Sequence, residues 1–316
     1  MKIYHQTEEF PESFFPVVTI GTFDGVHTGH RKIISRLVES ARSKKGQSVL
    51  ITFFPHPRLV LSDNRADLQL LNTTEEKYKL IEKLGVDHLI EIRFTKEFAG
   101  TSFEDFISDF LVDKIHVKKL VVGQNHHLGH ERKGDFENLI KLGNQFDFEV
   151  EKVDLIEKNN ETVSSSKIRK ALMSGNIKVA NAMLGYEYSI TGKVIYGNQL
   201  GRTIGFPTAN IETNNKNKII PADGAYAVKV LWNNQMFHGM LNSGIRPTLD
   251  MHKHTTEVNI FDFNKDIYYD TITILFADRI RDEVKFDNLD SLKAQLFSDH
   301  QKAEEILKQQ IILSVK

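Results

Sequence analysis

The apolar rhythm of this chain changes near Gly185. Before that point, short apolar runs alternate with segments of helical spacing. Pro16-Val-Val-Thr-Ile-Gly21, Ser48 to Phe54, His88 to Ile92, Lys119 to Gly123 and Phe148 to Val153 read as strands. Between them, Arg31 to Lys44 places Ile33, Ile34, Leu37, Val38 and Ala41 on one helical face, and Thr74 to Leu84 and Ser102 to Val112 read as further helices. Strands separated by helices predict a parallel sheet covered by those helices. After Gly185 the strands follow one another closely: Ser189 to Tyr196, Ala225 to Trp232, Met236 to Leu241, Thr255 to Phe261 and Thr271 to Phe276. Gly197-Asn198, Asp223-Gly224 and Asn233-Asn234 supply turns between them. That spacing predicts a small antiparallel barrel, with a helix from Leu289 to Leu307 closing the chain. A chain of 316 residues is long for one hydrophobic core and comfortable for two. The expected fold class is α/β: a Rossmann-like parallel-sheet domain over 1–185, then a small antiparallel β-barrel domain with a C-terminal helix over 186–316.

Composition narrows the functions open to such a chain. The formal net charge is −1, which points to no nucleic-acid partner. There is no cysteine, so disulfides, thiolate chemistry and cysteine-based zinc sites are excluded. No stretch approaches the roughly 18 uncharged apolar residues of a membrane span. Met1 to Phe10 lacks the apolar run of a secretion signal. A cytoplasmic protein with small-molecule partners and no membrane partner is expected.

The first strand runs into Gly21-Thr-Phe-Asp-Gly-Val-His-Thr-Gly-His30, where a helix begins. Gly21, Gly25 and Gly29 remove side chains where backbone would pass close to a ligand. A helix N-terminus offers free N–H groups and a partial positive charge, both suited to a polyphosphate. His27 and His30 bracket that end and can donate hydrogen bonds to an α-phosphate and a departing pyrophosphate, stabilising charge that develops during in-line displacement. An exposed turn or a metal pair also fits two such histidines. Without cysteine or a nearby carboxylate cluster, zinc is the poorer reading. Far downstream, Val163-Ser-Ser-Ser-Lys-Ile-Arg169 opens another amphipathic helix. Ser164 could simply cap it. Lys167 and Arg169, one turn in, add cations, and a serine-rich helix start followed by cations suits phosphate.

Together these two elements resemble the HxGH nucleotidyltransferase superfamily, and Phe53-Phe-Pro-His-Pro57 narrows the resemblance to its FAD synthetase branch. The resemblance implies transfer of AMP from ATP to the phosphate of FMN by direct attack, without a covalent enzyme intermediate. It places Gly21, Phe23, Asp24, Gly25, His27, Gly29, His30, Asn125, Arg132, Ser164, Ser165 and Arg169 around ATP, with His27, His30 and Arg169 catalytic. Phe54, Pro55, His56 and Pro57 would meet the flavin. The segment Val122-Gly-Gln-Asn-His-His-Leu-Gly129 departs from the family pattern at His126 and Leu128, where aromatics are common. Three histidines there, His126, His127 and His130, read as an exposed loop more readily than as a metal site.

In the second half, Gly192-Lys-Val-Ile-Tyr-Gly197 leads into Gly201-Arg-Thr-Ile-Gly-Phe-Pro-Thr-Ala-Asn210. Gly197, Gly201 and Gly205 permit a backbone that wraps a nucleotide phosphate, and Pro207 stiffens the turn. Thr208 and Asn210 offer oxygens to a hard cation such as Mg²⁺ shared with ATP. Glu257, on a strand, can take a proton from a substrate hydroxyl, or simply face solvent. These segments, with Asn242-Ser-Gly-Ile-Arg-Pro-Thr248 and Ile280-Arg-Asp-Glu-Val-Lys-Phe286, resemble riboflavin kinases. The resemblance implies a six-stranded barrel that phosphorylates the ribityl 5′-hydroxyl of riboflavin. Gly192, Val194, Gly197, Gly201, Arg202, Gly205, Pro207, Thr208 and Asn210 would bind ATP. Thr208 and Asn210 would hold Mg²⁺, Glu257 would be the base, and Arg281 and Glu283 would meet the flavin. In this order the two halves are similar to bacterial bifunctional flavin-nucleotide enzymes, with ATP, riboflavin, FMN and FAD as substrates or products. A kinase with a weakened adenylyltransferase site, or a flavin-binding regulator without turnover, are the alternatives. Intact His27, His30, Thr208, Asn210 and Glu257 favour the working enzyme.

Overall fold

Every residue of the strand Pro16–Ile20 is buried, and its alternation explains the layering of the first half. Successive side chains point to opposite faces of a sheet, so a strand buried throughout must be covered on both. Val18 and Ile20 pack with Val49, Ile51, Ile90, Phe103, Phe106 and Leu111 on one face. Val17 packs with Leu50, Leu89, Ile34, Leu37 and Ile81 on the other. The computed structural model describes residues 1–5, 10–11, 14–61, 68–124, 136–154, 163–197, 199–213, 215–248 and 251–314. The chain divides into the units Met1–Ser165 and Ser166–Lys316.

The first unit holds strands β1 (Lys2–Tyr4), β2 (Pro16–Ile20), β3 (Gln47–Phe54), β4 (His88–Arg93), β5 (Lys119–Gly123) and β6 (Glu149–Val153). They form one sheet in the order β1-β4-β3-β2-β5-β6, with every pair parallel. Helices α1 (Thr28–Ser43), α2 (Pro57–Leu61), α3 (Thr74–Lys83), α4 (Lys96–Ala99), α5 (Phe103–Asp105) and α6 (Phe136–Phe146) connect them. Helix α3 starts on a capping box in which Thr73 and Glu76 satisfy each other's backbone amides. From β2 the chain builds β3 and β4 to one side and β5 and β6 to the other. The switch therefore falls between β2 and β5, where open α/β sheets bind ligands at the strands' carboxyl ends. Two features differ from the sequence expectation. The three-residue strand β1 is too short to show a period. Phe106–Val112, read as α-helix, is wound as a π-helix, with the rings of Phe106 and Phe110 stacked at 5.4 Å.

The second unit is a closed barrel of β7 (Ser189–Ile195), β8 (Ala209–Glu212), β9 (Gly224–Trp232), β10 (Gln235–Thr248), β11 (Met251–Ile260) and β12 (Thr271–Arg281), in the order β10-β11-β8-β7-β12-β9. Tyr188, Tyr226 and Phe276 are fully buried in it. Helices α7 (Ser165–Met173), α8 (Ile177–Leu184), α9 (Leu200–Thr203) and α10 (Leu289–Ser314) complete it. The helical spacing of 165–184 looks like more of the first half, yet both helices there are tied to the barrel. Leu172 O accepts from Ala222 N at 3.0 Å, and the Asn181 amide bonds Phe276 O and Tyr188 N, each at 2.8 Å. Strand β8 hides in the sequence because it has only four residues and begins at the tail of a glycine-rich string.

Ile34, on the inward face of α1, is fully buried. Ile34→Ala should lower the unfolding free energy of the first unit by about 2–5 kcal/mol, read as faster native-state amide exchange across β2 and β3 with β9 and β12 unchanged.

Candidate active sites

Helix α1 begins where β2 ends, so the Gly21–His27 turn sits at the switch point. Gly21 N donates to Ile51 O at 3.0 Å, continuing the sheet by one bond. The turn then adopts left-handed backbone three times, at Phe23 (φ 49°), Gly25 (φ 88°) and Val26 (φ 35°). Glycine tolerates this and a β-branched valine does not, so the turn carries strain of the kind found at functional sites. It is held by bonds from distant segments. The buried Asp24 carboxylate accepts from Leu71 N (3.0 Å) and Asn72 N (3.3 Å), and Asp24 O accepts from Ser165 Oγ at 2.9 Å. The serine element at 163–165 thus reaches the glycine-rich turn, as phosphate binding by both would require. Beneath the turn, Thr52 Oγ1 donates to Thr22 O (3.3 Å) and accepts from Lys77 Nζ (3.0 Å). Nothing in the sequence singled out Thr52 or Lys77: each sits at an ordinary position of a strand or a helix.

His27 caps α1, its Nδ1 accepting from His30 N at 3.3 Å. The first turn of α1 carries no acidic residue to answer its positive end. The two imidazoles stack with centroids 3.6 Å apart and an interplanar angle of 16°, and the edge of Phe23 meets His30 at 5.2 Å. His27 is only 5% exposed, and burial pushes its imidazole down to about 4. The ring is therefore neutral at physiological pH. With Nδ1 accepting, its proton lies on Nε2, which makes His27 a neutral donor rather than a cation.

The other residues expected at this site are distributed as follows. Phe54 is exposed at the end of β3, and His56 Nδ1 accepts from Arg58 N at 3.2 Å, closing the short turn through Pro55 and Pro57. Gly29 and His30 lie in the first turn of α1, and Ser164 immediately precedes α7. Arg169 lies on α7 in the second unit. Asn125 and Arg132, with His126, His127, Leu128 and His130, lie outside the described residues.

In the barrel, the strand registers put the second set on one rung. Asn210 pairs with Ile195 on one side and Glu257 on the other; Glu257 pairs with Asn242, Asn242 with Ala225, and Ala225 with Arg281. Directly opposed residues share a face of the sheet, so Asn210, Glu257 and Asn242 lie side by side on three strands, with Arg281 reached across Ala225 after a register shift between Arg279 and Arg281. Thr208 Oγ1 donates to Glu257 Oε2 at 3.1 Å, leaving the hydroxyl's lone pairs for another partner. A Cβ on Gly197 would come within 2.1 Å of the Asn210 amide, so only glycine leaves that side chain its place. Arg281 is clamped by the buried Asp299 of α10, with Nε–O contacts of 2.9 and 3.1 Å and Nη2–O of 2.8 Å. Glu283 lies over Gly244 and accepts from Asn242; burial, then the Asp223 charge, raises its carboxyl above the usual range. Beside Thr208 a cleft runs between Val194, Arg202, Pro207, Lys265 and Tyr268. Lys265 and Tyr268 carry no sequence signal, since their loop reads as an ordinary polar turn. Gly192 lies within β7, opposite Ile272 of β12, while Gly201 and Gly205 lie on the segment linking β7 to β8, with Gly205 at φ 87°.

A strained glycine turn at a helix N-terminus and an oxygen-rich barrel rung define a two-domain nucleotide-handling transferase. The FAD synthetase family matches residues 12–167, and the riboflavin kinase family residues 184–307. The bifunctional riboflavin kinase/FMN adenylyltransferase of Escherichia coli (strain K12) is 36% identical over 290 residues, 92% of each chain. That of Listeria monocytogenes is 38% identical over 286 residues, 90% of each. A solved Streptococcus pneumoniae structure, described as a macrolide-efflux protein, superposes with a TM-score of 0.88 at 33% identity over 96% of this chain and 98% of that one. Among the described residues, no helix is long and apolar enough to cross a membrane. The chain belongs to the bifunctional riboflavin kinase/FMN adenylyltransferase family.

The buried neutral state of His27 sets a pH dependence. Above pH about 6.5 His27 is neutral in both folded and unfolded chains. As pH falls from there towards about 4, the unfolded chain takes up a proton that the folded one refuses, so stability is lost. His27→Asn keeps an acceptor at the cap and removes the titration. Chemical unfolding of both proteins should show the wild type losing on the order of 3 kcal/mol more than the variant across that window; parallel curves would refute the neutral assignment.

Proposed function

We propose that the chain makes FMN and then FAD, with adenylyl transfer carried by residues 1–185 and phosphorylation by residues 186–316. The observation that carries the reading is the convergence, within each unit, of polar groups from distant segments on one strand-end turn or one barrel rung.

In the first reaction, the ribityl 5′-oxygen of riboflavin attacks the γ-phosphorus of ATP. The bond to ADP breaks, and the hydroxyl proton passes to Glu257. Glu257 is held for this by Thr208 and faces Asn210 across the ladder. Thr208 and Asn210 are the oxygen donors that would hold Mg²⁺, whose chemistry is to neutralise charge on the ATP phosphates. The donor set suits a hard cation, since Thr208 spends its proton on Glu257 and keeps its lone pairs. ATP would lie in the cleft by Val194, Arg202, Pro207 and Thr208, with the flavin towards Arg281 and Glu283.

In the second reaction, a phosphate oxygen of FMN attacks the α-phosphorus of ATP, and pyrophosphate leaves. The α1 N-terminus and the neutral Nε2–H of His27 stabilise the developing charge, with His30 beside it. The strained turn lets backbone amides approach the phosphates. Ser164 and Ser165 supply the other phosphate contacts, and Phe54 to Pro57 a wall for the flavin.

His30→Ala should cut FAD formation from FMN and ATP at least 100-fold while leaving FMN formation from riboflavin within about twofold. Glu257→Ala should do the reverse. Chromatography of the flavin products separates the outcomes; equal loss of both activities in either variant would contradict separate sites.

A further inference from the structure

The turn that receives ATP rests on a group that nothing in its motif announces. Lys77 sits on α3, 9% exposed. Its ammonium donates to Thr52 Oγ1 at 3.0 Å, and Thr52, fully buried on β3, donates in turn to Thr22 O at 3.3 Å. Thr22 is the second residue of the phosphate-receiving turn, next to the left-handed Phe23. Burying an ammonium is costly unless its charge is answered, and a methionine would fill similar space without that cost. The charged and titratable groups facing Lys77 are Asp24 from the turn and Glu91 from β4, with the Tyr78 ring 5.8 Å away on its own helix. Both carboxylates are shared: Asp24 accepts the Leu71 and Asn72 amides, and Glu91 meets Tyr78 OH and, at 3.2 Å, His5 Nδ1. The lysine thus brings a cation and a directed hydrogen bond to the underside of a turn whose upper side offers a helix N-terminus to an anion.

We infer that Lys77 is a positioning residue for adenylyl transfer, fixing the Thr22 carbonyl through Thr52 and so holding the strained turn in its ATP-receiving shape. The inference rests on adenylyl transfer at this turn. It also carries a pH signature. Burial pushes the Lys77 ammonium down to about 8, against the opposing pull of Glu91 and Asp24. The cation is complete well below that pH and is lost as pH rises through it. Since kcat/KM reports the free enzyme, kcat/KM for ATP in FAD formation should fall above pH about 8, more steeply than kcat in the loaded enzyme.

The test uses the full chain, with FMN formation by the same preparations as the internal reference. Lys77→Met should lower kcat/KM for ATP in FAD formation about tenfold at pH 7, the scale of a lost charged hydrogen bond, and abolish the alkaline limb. Lys77→Arg should keep activity at pH 7 and shift the limb upward, because a guanidinium stays charged. Thr52→Val should lower kcat/KM in the same direction, and Thr52→Ser should restore it. FMN formation should stay within about twofold throughout. Lys77→Met and Thr52→Val both within twofold of wild type, or an alkaline limb unchanged in Lys77→Arg, would overturn the inference. If Lys77→Met does not fold, the Thr52 pair decides the point. Wild-type protein that makes no FAD would instead sink the proposed adenylyl transfer itself.

Discussion

The carboxylate and carbonyl of Asp24 gather three parts of the first unit that lie far apart in sequence. Its oxygens take the amides of Leu71 and Asn72, just before α3, and its carbonyl takes the hydroxyl of Ser165. A strained turn cannot hold itself, because left-handed backbone at Phe23 and Val26 is unfavourable in isolation. The surrounding bonds impose the shape. With the turn fixed, α1 starts at a defined angle from the switch point, and His27 and His30 stack over its open end. The groups proposed to bind phosphate in this unit share that one anchorage.

The barrel reaches its geometry by a different route. No single residue ties its site together; the hydrogen-bond ladder does. Asn210, Glu257 and Asn242 stand side by side because their strands are in register, Thr208 joins them through a side-chain bond to Glu257, and Arg281 follows beyond Ala225 after a register shift in β12. Arg281 is drawn towards Asp299 of α10, so the long terminal helix also sets the posture of a residue expected beside the flavin.

The sequence was most readable where one residue type has one physical use. Buried strands, the apolar face of α1, the threonine at the start of α3 and the change of period near Gly185 all appear as patterns, because burial imposes periodicity. The first glycine string was readable as a strand-to-helix turn for a related reason: left-handed backbone admits few substitutes. Elements without a period escaped. Strand β1 has three residues, β8 has four polar-flanked ones, and the loop bearing Lys265 and Tyr268 looks like any surface turn. Lys77 and Thr52 escaped for a deeper reason. Their importance is a matter of what they touch, and a buried lysine on a helix is written no differently from an exposed one. The tautomer of His27 is likewise invisible in sequence, since it follows from burial and from the bond to His30 N.

Closure of the barrel has a further consequence. A one-residue slip of a strand would turn every side chain to the opposite face, and an open sheet can slip at its edges. Here β10 and β9 are paired on both sides like the other strands, so no strand can slide without breaking two ladders. The positions of the rung's side-chain oxygens are therefore protected by topology rather than by local sequence. The loops between strands are released from that duty, and drift or insertion there can retune what the cleft accepts while the rung beneath stays in step.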